Sequence, residues 1–205
     1  MRGFWERLTG ATCPGCGQPL KEPLLCPACQ ALLVPRHLPF LVYLGDYRQV
    51  GRLPRALKYR GQRALAELLG SRLALGVQQA GWGLAGVTAV PSTWPRLLAR
   101  GYNQAELLAQ AAARALGLPY LRVLRRRGLG PSQTQKTQLE RTALPQNLFY
   151  PTRSIGGHWL LVDDVMTSGT TFLRARKALL EAGARRVYGA VIAVKSPHRL
   201  ARYFL

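Results

Sequence analysis

Trp159-Leu160-Leu161-Val162-Asp163-Asp164-Val165-Met166-Thr167-Ser168-Gly169-Thr170-Thr171 begins as an uninterrupted apolar run, passes through two adjacent acids and ends in small hydroxyl residues around one glycine. Trp159 to Val162 has the continuous apolar character of a strand covered on both faces, as strands of parallel sheets are. A helix is expected from about Thr171 to Glu181, stopped near Gly183, and Val187 to Val194 supplies a second apolar strand. Strand, helix and strand in that order form a crossover unit, so the fold class is α/β, a parallel sheet flanked by helices. Ligands of such sheets bind at the carboxyl ends of the strands, where the two acids fall.

Burying two adjacent carboxylates without partners costs on the order of several kcal/mol each. Asp163 and Asp164 therefore need a use. Successive side chains of a strand point to opposite faces, so one acid is expected to meet a ligand while the other orients the turn. Vicinal ribose hydroxyls, or water held by a divalent cation, are natural partners for them. In Thr167 to Thr171 the amides that open the helix point at an anion, Gly169 lets the backbone approach closely, and the hydroxyls add donors. No Walker A lysine and no dinucleotide-binding glycine motif accompanies the turn. The plainer alternative is an ordinary capped helix after a strand with an ion-paired acid. The apolar strand and the double acid favour ligand binding.

The four cysteines form two C-x-x-C pairs, Cys13-Pro14-Gly15-Cys16 and Cys26-Pro27-Ala28-Cys29, nine residues apart. Each turn bends two thiolates toward one point, and two such turns supply the tetrahedral sulfur shell of a structural zinc site. Disulfides or a redox pair are the competing readings, disfavoured by the unsecreted character of the chain and by the second copy. Four thiolates leave no position for water, so this metal is read as structural. Residues 1–36 are accordingly a four-cysteine zinc-binding module and residues 37–205 the main domain.

At 205 residues, with 48% hydrophobic and 19% charged residues, the chain has the composition of a packed globular protein. Neither a membrane-spanning run nor the apolar stretch of a signal peptide is evident, which points to the cytoplasm. The formal charge of +20, from 29 basic against 9 acidic residues, favours nucleic acid, anionic lipid or phosphorylated ligands.

Between the cysteines and the deciding stretch, Phe40 to Leu44 reads as a strand, and Leu53 to Tyr59 and Arg63 to Val77 as helices broken at Gly61. Gly81 to Gly86 reads as a loop. Val87 to Val90 reads as a short strand stopped by Pro91-Ser92, followed by a basic loop with Arg96 and Arg100. Asn103 with Glu106 three residues on resembles a capping box for a helix through Leu107, Leu108, Ala111 and Leu116, ended by Gly117. Residues 125–147 read as a mobile loop. His37, His158 and His198 are read as surface or structural, since none has a partner by spacing.

Leu161 to Thr171 resembles the signature of the type I phosphoribosyltransferases. With the four cysteines, Leu57-Lys58-Tyr59-Arg60-Gly61, Val90-Pro91 and Arg100-Gly101-Tyr102-Asn103-Gln104, the chain resembles the ComF competence family from end to end. The resemblance implies a zinc finger fused to a type I phosphoribosyltransferase-like domain, with a role in DNA uptake during natural transformation. It implies that Asp163 and Asp164 face ribose hydroxyls, and that Met166, Thr167, Ser168, Gly169, Thr170 and Thr171 hold the 5-phosphate of phosphoribosyl diphosphate or a related sugar phosphate. Pro91 and Ser92 would occupy the diphosphate loop, with magnesium bridging diphosphate and ribose. The family's Arg and Asn of the closing loop correspond to Arg141 and Asn147, at an altered spacing to Phe149.

Two functions fit these residues. One is a phosphoribosyltransferase of nucleotide salvage, in which a nitrogen nucleophile displaces diphosphate. The other is a sensor or adaptor that binds without turnover, with single-stranded DNA and a DNA-uptake helicase-like ATPase as partners. Arg100, Arg125, Arg126 and Arg127 are the candidates for nucleic-acid contact, although the three consecutive arginines also read as a solvated charged face.

Overall fold

The apolar runs expected to form strands do so, and pairing within the sheet gives their buried amides and carbonyls the partners that their apolar side chains cannot supply. The computed structural model describes residues 12–20, 24–58, 63–127 and 147–197. In chain order these contain α1 (Pro27–Ala31), β1 (Arg36–Leu38), β2 (Leu41–Asp46), α2 (Tyr47–Val50), α3 (Arg52–Ala56), α4 (Arg63–Gln79) and β3 (Gly86–Ala89). There follow α5 (Trp94–Arg100), α6 (Gln104–Leu116), β4 (Leu124–Arg126), β5 (Phe149–Pro151), β6 (His158–Met166), α7 (Thr170–Glu181) and β7 (Arg186–Val194). Tyr59, Arg60, Gly61, Arg141, His198 and residues 128–146 of the expected loop lie outside the described residues.

Five strands form one sheet in the order β1-β2-β7-β6-β3. The pairings β2–β7, β7–β6 and β6–β3 are parallel, with Asp163 opposite Val191 and Val162 opposite Ala89. The sheet is mixed rather than wholly parallel, since β1 pairs antiparallel with β2. Only Pro39 and Phe40 separate these two strands, and so short a connection permits a hairpin but no crossover.

Alternate residues of each strand serve two cores. Val42, Leu44, Leu160, Val162, Ala190 and Ile192 meet Leu65, Leu69 and Leu73 of α4 and Leu108 of α6 on one face. Leu41, Tyr43, Leu161 and Val191 meet Phe172, Ala175 and Leu179 of α7 on the other. Cys13, Leu25, Cys26, Cys29 and Leu33 belong to the first core, so the cysteine segment packs against the same face as α4.

Several local expectations change. The stretch after Pro91-Ser92 is helical from Trp94 to Arg100, where a basic loop was expected; Pro95 sits at the helix start, a position that needs no amide, and Gly101 ends it at φ 78°. Arg125 and Arg126 are in β4, paired with β5, so the expected loop is narrower than 125–147. Asn103 does cap α6, accepting from Ala105 N at 3.2 Å, but Glu106 closes no box and instead pairs with Arg122 at 2.9 Å. His37 contacts the carbonyl of Gly76 at 2.9 Å, and His158 lies edge-on to Tyr188.

Close approach of α4 and α6 depends on Gly70. A Cβ there would run into Ala111 Cβ and stand 2.9 Å from the Leu108 carbonyl oxygen. Alanine gains about 1 kcal/mol of helix propensity over glycine. Overpacking costs typically about 1–3 kcal/mol. Gly70→Ala is thus expected to lower stability by up to about 2 kcal/mol in denaturant titration, and a stabilised variant would show that the helices separate freely.

Candidate functional site

At the carboxyl ends of β3 and β6 lies a cavity of about 510 Å³. The acids, the hydroxyl-rich turn and Pro91-Ser92, far apart in sequence, all line it. Parallel pairing of β6 with β3 places their ends side by side, which brings Pro91 and Ser92 to the acids.

The turn residues Met166 to Thr171 form the floor. Gly169 takes φ 77° as the N-cap of α7, a left-handed conformation open to glycine at little cost, and among the described residues no side chain makes a cap hydrogen bond at this terminus. Ser168 Oγ and Thr170 Oγ1 are 3.0 Å apart, while Thr170 N is 3.5 Å from Ser168 Oγ, at the limit of a hydrogen bond. The uncapped amides and paired hydroxyls make a donor-lined cradle suited to an anion.

Asp163 Oδ1 accepts from the Asp164 amide at 2.8 Å. The Asp163 carboxyl lies deep while its residue keeps part of its surface open to the cleft. Burial, followed by the adjacent charge of Asp164, pushes its pKa well above the ordinary carboxylate value; the Asp164 amide and Arg96 pull the other way. Vicinal hydroxyls, or a cation, would relieve this burial by pairing with the charged form.

The sequence names the basic residues of the cavity but does not disclose that they share one wall beside the acids. Lys58, Arg96, Arg100 and Arg126 all line the cavity. Arg100 Nη1 donates to Gln104 Oε1 at 3.2 Å, and the buried Nε2 of Gln104 has no acceptor among the described residues. Arg126, half-buried beside the Phe149 ring, has its pKa lowered by burial and then by Arg96, with Asp163 opposing. The strand alternates, so Arg125 and Arg127 are exposed and do not line the cavity; Arg127 lies over the Tyr150 ring instead. The three consecutive arginines are therefore not one surface. A period-two pattern at 125–127 was the available signal.

The four cysteine sulfurs form a second site, all within 4.8 Å of one another, with no disulfide among them. Four sulfurs at about 2.3 Å from a tetrahedral zinc stand about 3.8 Å apart. Cys16 and Cys26 sulfurs are 3.7 Å apart. The amides of Cys26 and Cys29 point at the sulfurs of Cys13 and Cys26, at 3.5 and 3.4 Å. A Cβ at Gly15 would meet Cys29 Sγ at 2.7 Å, so glycine makes room for the cluster. Burial raises the Cys13 thiol, but backbone amides outweigh it and bring it from 9.0 to about 6; burial and the neighbouring thiols push Cys29 upward. The donor set fits one thiolate-bound metal ion.

Residues 100–204 match the family model described as phosphoribosyl transferase domain. The DNA utilization protein YhgH of Salmonella typhimurium is 31% identical over 184 residues, covering 85% of this chain and 80% of that protein. YhgH of Escherichia coli K12 is 30% identical over 183 residues with the same coverage. The competence protein ComFC of Streptococcus pneumoniae is 36% identical over 99 residues, 48% of this chain and 43% of that one. Among solved structures, glutamine phosphoribosylpyrophosphate amidotransferase from B. subtilis is similar over 63% of this chain and 26% of its own, at 26% identity and TM-score 0.45.

Asp163 also yields a stability signature. Its folded-state pKa is raised, so its contribution is fully present below the ordinary value of 3.8 and is lost as pH rises through the folded pKa. Asp163→Asn removes that loss. It is expected to stabilise the ligand-free protein by about 1–3 kcal/mol at pH 8, with the gain vanishing toward pH 3.5, in melts at matched ionic strength. An equal effect at both pH values would show that the ionised carboxylate is not the destabilised group.

Proposed function

The chain belongs to the ComF family and carries a type I phosphoribosyltransferase-like domain with a four-cysteine cluster at its N-terminal side, and from that premise we propose that it binds phosphoribosyl diphosphate, or a related sugar phosphate, with magnesium. One observation carries the reading: a single cavity joins two acids, an uncapped helix N-terminus and four cations. A ligand with hydroxyls between two anionic groups complements all three. Asp163 and Asp164 face the ribose hydroxyls, Met166 to Thr171 hold the 5-phosphate, and Pro91 and Ser92 meet the diphosphate alongside Arg96 and Arg126.

In the catalytic form of this reading a nitrogen nucleophile attacks the anomeric carbon and diphosphate departs. Magnesium, which Asp163 and Asp164 would hold through water, would supply neutralisation of the charge on the departing diphosphate. The protein's own part is to position and stabilise charge: Asp163 and Asp164 orient the ribose, and the guanidinium groups receive charge that develops on the leaving oxygens. No side chain is assigned as general base.

The four cysteines are proposed to hold a structural zinc. The proposed division is a module over residues 1–36 and a domain over 37–205, docked through the shared core that contains Cys13, Cys26 and Cys29. Among the described residues no helix is long and apolar enough to cross a membrane, in keeping with a cytoplasmic role proposed here. By analogy with the relatives' names, that role is in handling DNA taken up by the cell. A second reading, in which the protein is an adaptor that binds single-stranded DNA and a helicase-like ATPase without turnover, draws on the +20 charge and the outward Arg125 and Arg127.

Isotope-labelled phosphoribosyl diphosphate with magnesium and a panel of bases separates these. Diphosphate release that depends on one base identifies a transferase; tight binding without release identifies a sensor or adaptor. Asp163→Asn with Asp164→Asn is expected to lower the affinity at least about 100-fold while leaving the fold intact, through loss of two charge-assisted contacts. Unchanged affinity in calorimetry would overturn the site. Metal analysis of the purified protein is expected to give about one zinc per chain, and Cys26→Ser to unfold the module.

A further inference from the structure

The cavity's cations come from separate segments, and one of them arrives from the cysteine side of the molecule. Lys58 lines the cavity, is exposed, and has no carboxylate within ion-pair distance among the described residues. Its amide donates to the Arg55 carbonyl at 3.0 Å, so it rides directly on the end of α3. Five residues of helix are too few to be stable alone, and α3 therefore stands where its contacts put it.

Those contacts reach in two directions. Arg52, the first residue of α3, donates through Nη1 to the carbonyl of Cys16 at 3.2 Å, inside the first cysteine turn. Leu53 and Leu57 share a core with Cys13, Cys26 and Cys29. At the other end of α3, Tyr102 Oη donates to the carbonyl of Leu57, its C-cap, at 2.7 Å. The next residue, Asn103, ties its Nδ2 to the Val90 carbonyl at 3.0 Å, beside the Pro91-Ser92 wall. A continuous chain of contacts thus runs from the thiol cluster through α3 to Lys58 and on to the wall.

We infer that Lys58 is an anion-binding residue of the cavity, and that the metal module positions it, through the Arg52–Cys16 contact and the Tyr102–Leu57 bond at either end of α3. The inference rests on the proposed sugar-phosphate reading and deepens it, giving the module a part in ligand affinity as well as in folding. Lysine suits the task because its ammonium acts as a point charge on a flexible stem, so the backbone anchor must supply the precision that the side chain lacks. Arg52 is a positioning residue and touches no ligand.

The test is calorimetric titration of the full-length, metal-loaded protein with phosphoribosyl diphosphate and magnesium, and separately with inorganic diphosphate, accompanied by melting curves and metal analysis. Lys58→Ala is expected to weaken binding about 10–100-fold, the size of one charge-assisted contact, and Lys58→Arg to restore most of it. Arg52→Ala is expected to weaken binding about 3–10-fold with metal content unchanged, and the double variant to bind no more weakly than Lys58→Ala alone. Lys58→Ala binding as the wild type does, or effects of Arg52 and Lys58 that simply multiply, would overturn the inference. Failure of the unaltered protein to bind phosphoribosyl diphosphate sinks the sugar reading instead; Lys58-dependent binding of inorganic diphosphate would then still uphold Lys58 as an anion contact.

Discussion

Two neighbouring carboxylates at the end of a buried strand are the constraint around which the molecule is arranged. The fold drives Asp163 away from water and holds it beside Asp164, and both burial and like charge oppose its ionisation. Of the sheet's own donors only the Asp164 amide is seen to turn to this carboxyl, at 2.8 Å among the described residues. Compensation must come from outside the sheet, and it does so as guanidinium groups from α5 and β4 and as a turn whose amides are left uncapped. The imbalance that remains in the free protein is the kind a site keeps when binding is to supply the missing partners.

The two cores make that edge rigid. The strands β6 and β7 are covered on both sides, with α4 and α6 against one face and α7 against the other. Small residues bring the layers close: Gly70 admits α6, and a Cβ at Gly189 would meet Phe172 of α7 at 2.6 Å. The turn from β6 into α7 is thus anchored at both ends, through buried Met166 and Phe172, while Thr167, Ser168 and Thr170 stay exposed to the cleft. The cysteine segment joins the same core, so its docking against the domain is hydrophobic as well as polar.

Much of this was legible in the residues. The apolar runs announced β6 and β7, Asn103 and Gly117 bounded α6 closely, and the cysteine spacing led to four sulfurs that do gather at one point. The errors fell where signals were short or shared. The stretch after Pro91-Ser92 read as a basic loop, yet a seven-residue helix opens there with Pro95 in its first turn. Glu106 stood at the capping-box position, and Arg122 claimed it from sixteen residues away. Three arginines in a row read as one charged face, and the strand turned the middle one inward.

What the sequence determined by itself was local: periodicity, caps, ligand spacing and the turn chemistry after β6 depend on residues within a few positions of one another. What only the tertiary structure decided was which distant side chains share a cavity. Lys58, Arg96, Arg100 and Arg126 carry no common motif, and they converge because parallel pairing of β6 with β3, docking of α3 on the cysteine turn and the outlying β4–β5 pair bring their backbones together. Such convergence follows from packing between elements far apart in the chain, a long-range property that no short window of residues encodes.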